Sequence, residues 1–376
     1  MLLIEADGKA LLARHGLAVP RAALVRAGEA AGFCLDGSGP WVVKAQVPAG
    51  GRGKAGGIVL CRTPEEVEVS LARLLGTTLR GHPVTACLVE EAVCGAAEHY
   101  LSLMVDPAGL GIRIAWSRAG GVEVESAAPP AACTTSPDEA AILAAAEEIL
   151  ATADPAERTA LRGAVRDLAR ALLAEGLLLV EVNPLFIGSF GTLAGDAKVV
   201  LDLNLAEGQA DLRALVLARP DAYPDAVRKL QEGFDYVELD PEGEVGLVTT
   251  GAGLSMVVVD EMTAAGLRPL NFCDLRTGQL RGDPTRLVRV LDWISARPSV
   301  CVVLVNIFAG ITDLGEFGRL LSDALDRTGL RLPVVARLVG TGAAAGRAEL
   351  ARRHPGVIVE DDLLAAVARA ATLCKP

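Results

Sequence analysis

The sequence predicts an α/β protein of two domains, the second built on a parallel sheet, and three observations carry that expectation. The chain has 376 residues, more than one compact core usually serves. Short runs rich in β-branched residues alternate with amphipathic helical stretches. After about residue 240 the alternation becomes regular, as it does where strands lie parallel with helices on both faces.

In the first half, Trp41 to Val47, Cys87 to Glu90 and Leu177 to Val182 read as strands, and Pro64 to Leu75 and Pro137 to Ala151 as helices. Ser126 to Pro137 (SAAPPAACTTSP) holds three prolines and reads as a loop, and Arg219 to Asp225 (RPDAYPD) as a second break. In the second half a strand Val245 to Thr250 is followed by a helix from Leu254, a strand near Leu270 and a helix from Thr285. Strand Ser299 to Ile307, helix Leu314 to Asp326, strand Leu332 to Arg337, helix Ala343 to Arg353, strand Val357 to Glu360 and a last helix to Thr372 complete it. The break between roughly 232 and 242, with Leu239-Asp-Pro-Glu-Gly243 as connection, gives domains 1–236 and 237–376. No repeat of solenoid period is visible.

Composition narrows the function. With 51% hydrophobic and 22% charged residues the chain has the material for packed cores. Its net charge of −11 repels phosphate backbones, so nucleic-acid binding is not expected. No apolar run approaches the roughly 18 residues of a membrane span. The first twenty residues carry Glu5, Asp7, Lys9 and Arg14, which does not fit a signal peptide, so a cytoplasmic protein is expected. The eight cysteines (34, 61, 87, 94, 133, 273, 301, 374) form no CxxC pair and are read as buried free thiols. The four histidines lack zinc-ligand spacing, so no structural metal is expected.

Four segments carry chemistry. In Val42 to Val59, VVKAQVPAGGRGKAGGIV, a strand bearing Lys44 runs into a loop with five glycines, Arg52 and Lys54. Such a loop wraps phosphates, because glycine lets backbone N–H groups approach while cations neutralise charge; an ordinary hairpin loop is the alternative. It is not a Walker A loop, since Ala55 follows Gly53-Lys54 and Pro48 stands at the first glycine position. Leu88-Val-Glu-Glu-Ala92 and Glu98 offer carboxylates for ribose hydroxyls or an adenine amino group, or form a solvated acidic edge. Glu181-Val-Asn183-Pro184 ends an apolar strand, and with Asp196 it supplies the hard oxygens Mg²⁺ favours; a simple turn is the alternative. Thr250-Gly-Ala-Gly253 sits between strand and helix, where backbone N–H groups hold anions, but it lacks the third glycine of a dinucleotide fingerprint.

Taken in order, LLARHGLAVPR, AQVPAGGRGKAGG, LVEEA, AGGVEVE, VEVNPL, TGAGLSM and LVNIFAGI span nearly the whole chain. In these segments it resembles the β subunit of succinyl-CoA synthetase and its relatives, the NDP-forming acyl-CoA ligases. The resemblance implies an ATP-grasp domain over 1–236, with a lid subdomain about 21–103, and a flavodoxin-like CoA-ligase domain over 237–376. It implies ATP, Mg²⁺ and a small carboxylic acid, with coenzyme A bound mainly by an α-like partner that carries a phosphohistidine. Position by position, Lys44 resembles the ATP-contacting lysine, Gly51, Arg52 and Gly53 the phosphate cradle, and Glu90, Val93 and Glu98 the nucleotide contacts. Asn183 and Asp196 match the magnesium ligands, with Asp202 as fallback because one residue is missing after NPL. Glu181 matches the glutamate beside the phosphohistidine and is the expected catalytic residue. His15 and His354 sit in helical, surface-like contexts, His82 precedes a proline and His99 follows Glu98, so none resembles a glycine-flanked relay histidine and the chain is expected to be half of an enzyme. Lys44→Ala is expected to abolish ATP turnover and spare the fold.

Three departures from the family surround the implied acid site. Thr250 replaces an asparagine, Asp274-Leu-Arg-Thr-Gly-Gln279 replaces a run of three glycines and introduces Arg276, and Ala309 and Thr312-Asp313 flank the retained Gly310 and Ile311. Thr250, Arg276, Gly310, Ile311 and Thr312 are therefore expected at a pocket for an acid other than succinate. A ligase with a non-CoA acceptor and a non-catalytic nucleotide-binding scaffold are the alternatives; the intact Lys44, Glu181, Asn183 and Asp196 favour an enzyme.

Overall fold

A computed structural model describes residues 1–29, 39–121, 129–206 and 208–374 and divides the chain into two units, Met1–Tyr223 and Pro224–Pro376. The division falls before the 236/237 break expected from sequence. The helix Pro224–Glu232 packs on the strand Asp235–Glu238, and that strand pairs with Asn271–Asp274, so both belong to the second unit.

In the first unit, Ala22–Arg26, Ala86–Glu91, Trp41–Ala45 and Ile58–Cys61 form an antiparallel sheet in that order. One face is covered by the helix Pro64–Leu74, which starts with Pro64 in its first turn and with the Thr63 hydroxyl accepting from Glu66 N. Its Val67, Leu71 and Leu74 pack with Trp41, Val43 and Val89. This sheet draws only on Ala22–Glu91; the strand Ala97–Asp106, partly inside the expected lid range, belongs to the second sheet.

The second sheet runs Gly191–Ala194, Leu177–Gly188, Ala97–Asp106, Gly111–Ser117, Ala131–Thr135, and Lys198–Leu201 also pairs with Leu177–Gly188. The helix Pro155–Glu175 lies against it with Leu161, Val165, Leu168 and Leu172 buried at helical spacing, and ends at Gly176 in the left-handed region. Two sequence expectations fail here. Ala131–Thr135, in the stretch read as a loop, pairs with Gly111–Ser117; the prolines precede and follow it, and residues 122–128 lie outside the described residues. The strand through Glu181 does not end at Asn183-Pro184 but continues to Gly188, with a register shift between Val182 and Leu185. Such an irregularity re-aims side chains without ending the strand.

The second unit carries a parallel sheet in the order Val245–Thr249, Val302–Ala309, Val334–Gly340, Ile358–Val359. Alternation decides its faces: Val303, Val305 and Ile307 pack with Leu287 and Phe317 on one side, and Val302 and Leu304 with Val258, Met262 and Ala366 on the other. The strand near Leu270, expected in this sheet, pairs instead antiparallel with Asp235–Glu238. It meets Val245–Thr249 through a bridge at Pro269 and through the Asn271 amide, which donates to Leu247 O and accepts from Leu247 N, both at 2.9 Å. A side-chain amide thus replaces a backbone rung. Counting that neighbour, the order is the 2-1-3-4-5 of flavodoxin-like sheets, whose ligands sit outside the carboxyl ends of strands one and three, where the strand order reverses. Asn271→Ala strands two buried backbone groups and is expected to destabilise this unit by about 2–3 kcal/mol in denaturant unfolding; a change under roughly 0.5 kcal/mol would show that the backbone re-pairs by itself.

The free-thiol expectation also needs correction. Cys301 and Cys374 form a disulfide, because the helix Leu363–Cys374 packs on the strand that Cys301 precedes and brings the Cα atoms to 5.4 Å across a separation of 73 residues. Cys61, Cys87 and Cys273 are buried free thiols, and burial pushes Cys87 and Cys273 up to about 12; Cys94 is exposed and Cys133 half-buried. Cys34 lies outside the described residues. Among the described residues no helix is long and apolar enough to cross a membrane.

Candidate functional site

A cleft of about 930 Å³ in the first unit is lined by Lys44, Gly51, Arg52, Gly53, Glu90, Val93, Glu98, Glu181, Asn183 and Asp196, the site residues the sequence suggests for that half apart from the fallback Asp202. Strand register explains the convergence. Lys44 lies on Trp41–Ala45, directly beside the strand bearing Glu90, while Glu98 pairs with Phe186 and Glu181 with Ser102 and Lys198 across the second sheet. The glycine loop between Trp41–Ala45 and Ile58–Cys61 turns through Gly51 and Gly56, both at positive φ, and carries Arg52 inward.

The cleft wall is a buried ionic network. Lys44 Nζ lies 2.8 Å from Glu5 Oε1 and 2.5 Å from the Gly195 carbonyl, and pairs with Glu90 Oε1. Lys9 Nζ lies 2.6 Å from Glu90 Oε2, 2.8 Å from Glu5 Oε1 and 2.8 Å from the same Gly195 carbonyl. Arg52 Nη2 lies 2.8 Å from Glu5 Oε2 and 2.9 Å from both oxygens of Asp196. Three cations thus face three carboxylates, and apart from Asp196 every member is nearly closed to solvent. Buried charges persist only when so paired.

Burial alone would raise the Glu5 carboxyl, but Lys44, Lys9 and Arg52 outweigh it and hold Glu5 well below the usual carboxylate range. Burial likewise works to lower Lys44, and Glu5, Glu90 and Asp196 overcome it and raise the amine. Glu5 gives up its stabilising charge only as pH falls through its lowered value, and Lys44 only as pH rises through its raised value. Between the ordinary values of 4.5 and 10.5 both charges are kept.

Sequence reading missed Glu5 and Lys9, whose charges served there only to exclude a signal peptide. Their spacing of four in the first helix was the available signal, a same-face pair on the side that turns inward. Asp7, on that helix, is also buried; it accepts from the Tyr223 hydroxyl at 2.8 Å, and that hydroxyl in turn accepts from Ile4 N.

Also lining the cleft, Glu181 Oε2 accepts from the Tyr100 hydroxyl at 3.2 Å; burial, with Glu181 adding to it, raises that phenol so that it stays a donor. Asn183 Oδ1 accepts from Gly121 N at 2.6 Å and its Nδ2 donates to Gly121 O at 3.2 Å. Asp196 and Asn183 present a carboxylate and an amide oxygen to one cleft, a donor set that fits Mg²⁺, which uses few protein ligands and completes its shell with phosphates and water. Among the described residues no group of three or more His, Cys, Asp or Glu that could hold a metal ion occurs. Asp202 does not line the cleft; its carboxylate accepts from Asn204 N.

The second unit places its expected residues at the carboxyl ends of strands one and three. Thr250 follows Val245–Thr249, and Gly310, Ile311 and Thr312 follow Val302–Ala309, with Ile311 fully exposed. Between them lies Thr277, absent from the sequence reading: its hydroxyl donates to Thr250 Oγ1 at 3.1 Å and lies 3.0 Å from Thr312 Oγ1. Asp274 Oδ1 accepts from Gly251 N and Arg276 N. Arg276 points its guanidinium at Asp235, 3.0 Å away, so its charge is already paired. Its φ of 51° is one that glycine adopts freely, so the backbone here keeps a glycine-like turn while the side chain has changed. The signal for Thr277 was its place in the loop that departs from the family.

Comparison with known proteins covers both units. Residues 2–187 match a family model described as an ATP-grasp domain and residues 248–372 one described as CoA-ligase. The β subunit of ADP-forming succinate–CoA ligase from Chloroflexus aurantiacus is 38% identical, over 93% of this chain and 93% of that protein. The corresponding subunit from Rubrobacter xylanophilus is 37% identical, over 100% of this chain and 99% of its own. Among solved structures, ATP citrate lyase from Methanothrix soehngenii in complex with citrate and coenzyme A superposes with a TM-score of 0.76 over 99% of both chains, at 18% identity, a likeness of fold.

Proposed function

This chain belongs to the family of β subunits of ADP-forming succinate–CoA ligases, and from that membership we propose what its two sites do. The chain binds ATP in the cleft of the first unit and passes its γ-phosphoryl group to a histidine of an α-like partner, releasing ADP. The phosphoryl group then goes to a small carboxylic acid, and the thiol of coenzyme A displaces phosphate from the acyl phosphate to give the thioester. The observation that carries this reading is one cleft gathering the glycine loop, three buried cations and the Glu181 and Asn183 strand.

Within it, Lys44 and Arg52 exchange carboxylate partners for phosphate oxygens, and Glu90 and Glu98 remain for the nucleoside. Asp196 and Asn183 would hold a Mg²⁺ ion, which when bound would add neutralisation of the phosphates. Glu181, kept in place by Tyr100, orients the imidazole that receives the phosphoryl group. At the second site the Thr250, Thr277 and Thr312 hydroxyls offer both donors and acceptors, which supports an acid other than succinate.

The test is ADP release by the chain co-purified with an α-like partner, across mono-, di- and tricarboxylates, with and without coenzyme A. CoA-dependent release on one acid is the expected result. Release that ignores CoA would move the reading to another acyl acceptor, and tight ATP binding without turnover would move it to a scaffold. Thr250→Asn combined with Arg276→Gly is expected to shift preference towards succinate by about tenfold, on the scale of one hydrogen-bonding contact. An unchanged preference would show that these positions do not set specificity.

A further inference from the structure

Both side chains read above as metal ligands are engaged within the protein itself. Asn183 is paired on both amide atoms with the Gly121 backbone. Asp196 has Arg52 Nη2 at 2.9 Å from each carboxylate oxygen and accepts from Ala197 N at 2.7 Å. Arg52 is itself nearly buried, with the same Nη2 lying 2.8 Å from Glu5 Oε2 and Nη1 donating to Ala45 O. A guanidinium so placed puts a positive charge where a divalent ion would approach Asp196, with little water to screen the repulsion.

We propose that Arg52 is a placeholder cation: it occupies Asp196 in the nucleotide-free chain and yields it only when phosphate oxygens draw the guanidinium away, so that metal and nucleotide bind cooperatively. The inference rests on the reading of Asp196 as a metal ligand and adds a role for Arg52 as the residue that positions and releases it. Two features support it. Arg52 stands in the glycine loop that takes the phosphates, so a small swing of the same side chain serves both partners. The six-charge network is neutral with Arg52 in place; polyphosphate adds negative charge that pulls on the guanidinium, and the freed Asp196 then leaves a deficit that a divalent cation fills. The benefit is that a cleft lined with carboxylates does not trap free metal.

The test is Mn²⁺ binding to the full-length chain, followed by the loss of the free-ion electron paramagnetic resonance signal, with Mn²⁺ alone and with Mn²⁺ plus ADP. Arg52→Gln is expected to bind Mn²⁺ alone about tenfold more tightly than the unaltered chain, on the scale of one charge-assisted contact. Asp196→Asn added to that variant is expected to remove the gain. Because Arg52→Gln unbalances a buried network, Arg52→Lys is measured beside it; it keeps the charge but not the reach to both oxygens, and a gain of a few-fold is expected. No gain in either variant, while Asp196→Asn weakens Mn²⁺ binding in the presence of ADP, overturns the placeholder and leaves the metal site standing. If Asp196→Asn leaves that ADP-dependent binding unchanged, the metal-ligand reading fails, and the placeholder with it.

Discussion

Lys44→Ala is expected to abolish ATP-dependent ADP release and to destabilise the first unit at the same time. Its ammonium is the shared partner of Glu5, Glu90 and the Gly195 carbonyl in a nearly closed wall. Alanine leaves two buried carboxylates leaning on Lys9 and Arg52 alone. Removing one partner of a buried ionic cluster costs about 3–5 kcal/mol, which for a unit of this size lowers Tm by roughly 10 °C. The catalytic loss should be about 10²–10³-fold, the scale for deleting one fixed electrostatic contact to a transferring group. Sequence reading predicts the same catalytic loss but an untouched fold; only the burial of Glu5 and Glu90 around the amine shows why stability falls too. The checks are turnover with the partner present and a thermal melt of the same preparation. Turnover within tenfold of normal would remove the nucleotide assignment, and an unchanged melt would show that the network rearranges around the missing charge.

Glu181→Gln separates chemistry from binding. Glutamine keeps the shape and still accepts from Tyr100, but it loses the charge that steadies an imidazole as it is phosphorylated. Phosphohistidine formation on the partner should slow by about 10²-fold or more, while the Kd for ATP stays within a few-fold because Glu181 is not part of the Lys44 and Arg52 network. Rapid-quench measurement of the phosphorylated partner beside equilibrium nucleotide binding gives both numbers. If the two fall together, Glu181 belongs to nucleotide binding and another group serves the histidine.

The sequence by itself determined the class of each unit and singled out residues that the structure gathers around one cleft. The regular alternation after residue 240 follows from burying strands on both faces, and the parallel sheet appears with nearly the expected element limits. Lys44, the glycine loop, Glu90, Glu181, Asn183 and Asp196 were legible because each stands in a short local motif whose chemistry needs those residue types in that order.

What only the tertiary structure decided depends on separation along the chain. Glu5 and Lys9 lie far in sequence from Glu90 and Gly195, so no local pattern tells a buried charge from a solvated one; packing of the first helix against the cleft decides it. The Cys301–Cys374 bond and the Asn271 rung have a similar origin: each joins segments far apart in the chain, a helix or a neighbouring strand brought against the parallel sheet by packing. Thr277 joins Thr250 and Thr312 because the segments that follow strands one, two and three meet at one end of the sheet, and Arg276 turns to Asp235 because the strand before it pairs Asp274 with Asp235. A sequence records which groups are available, and the long-range pairing of the chain fixes which of them meet, because the free energy of a buried ion or amide depends on the partner it finds.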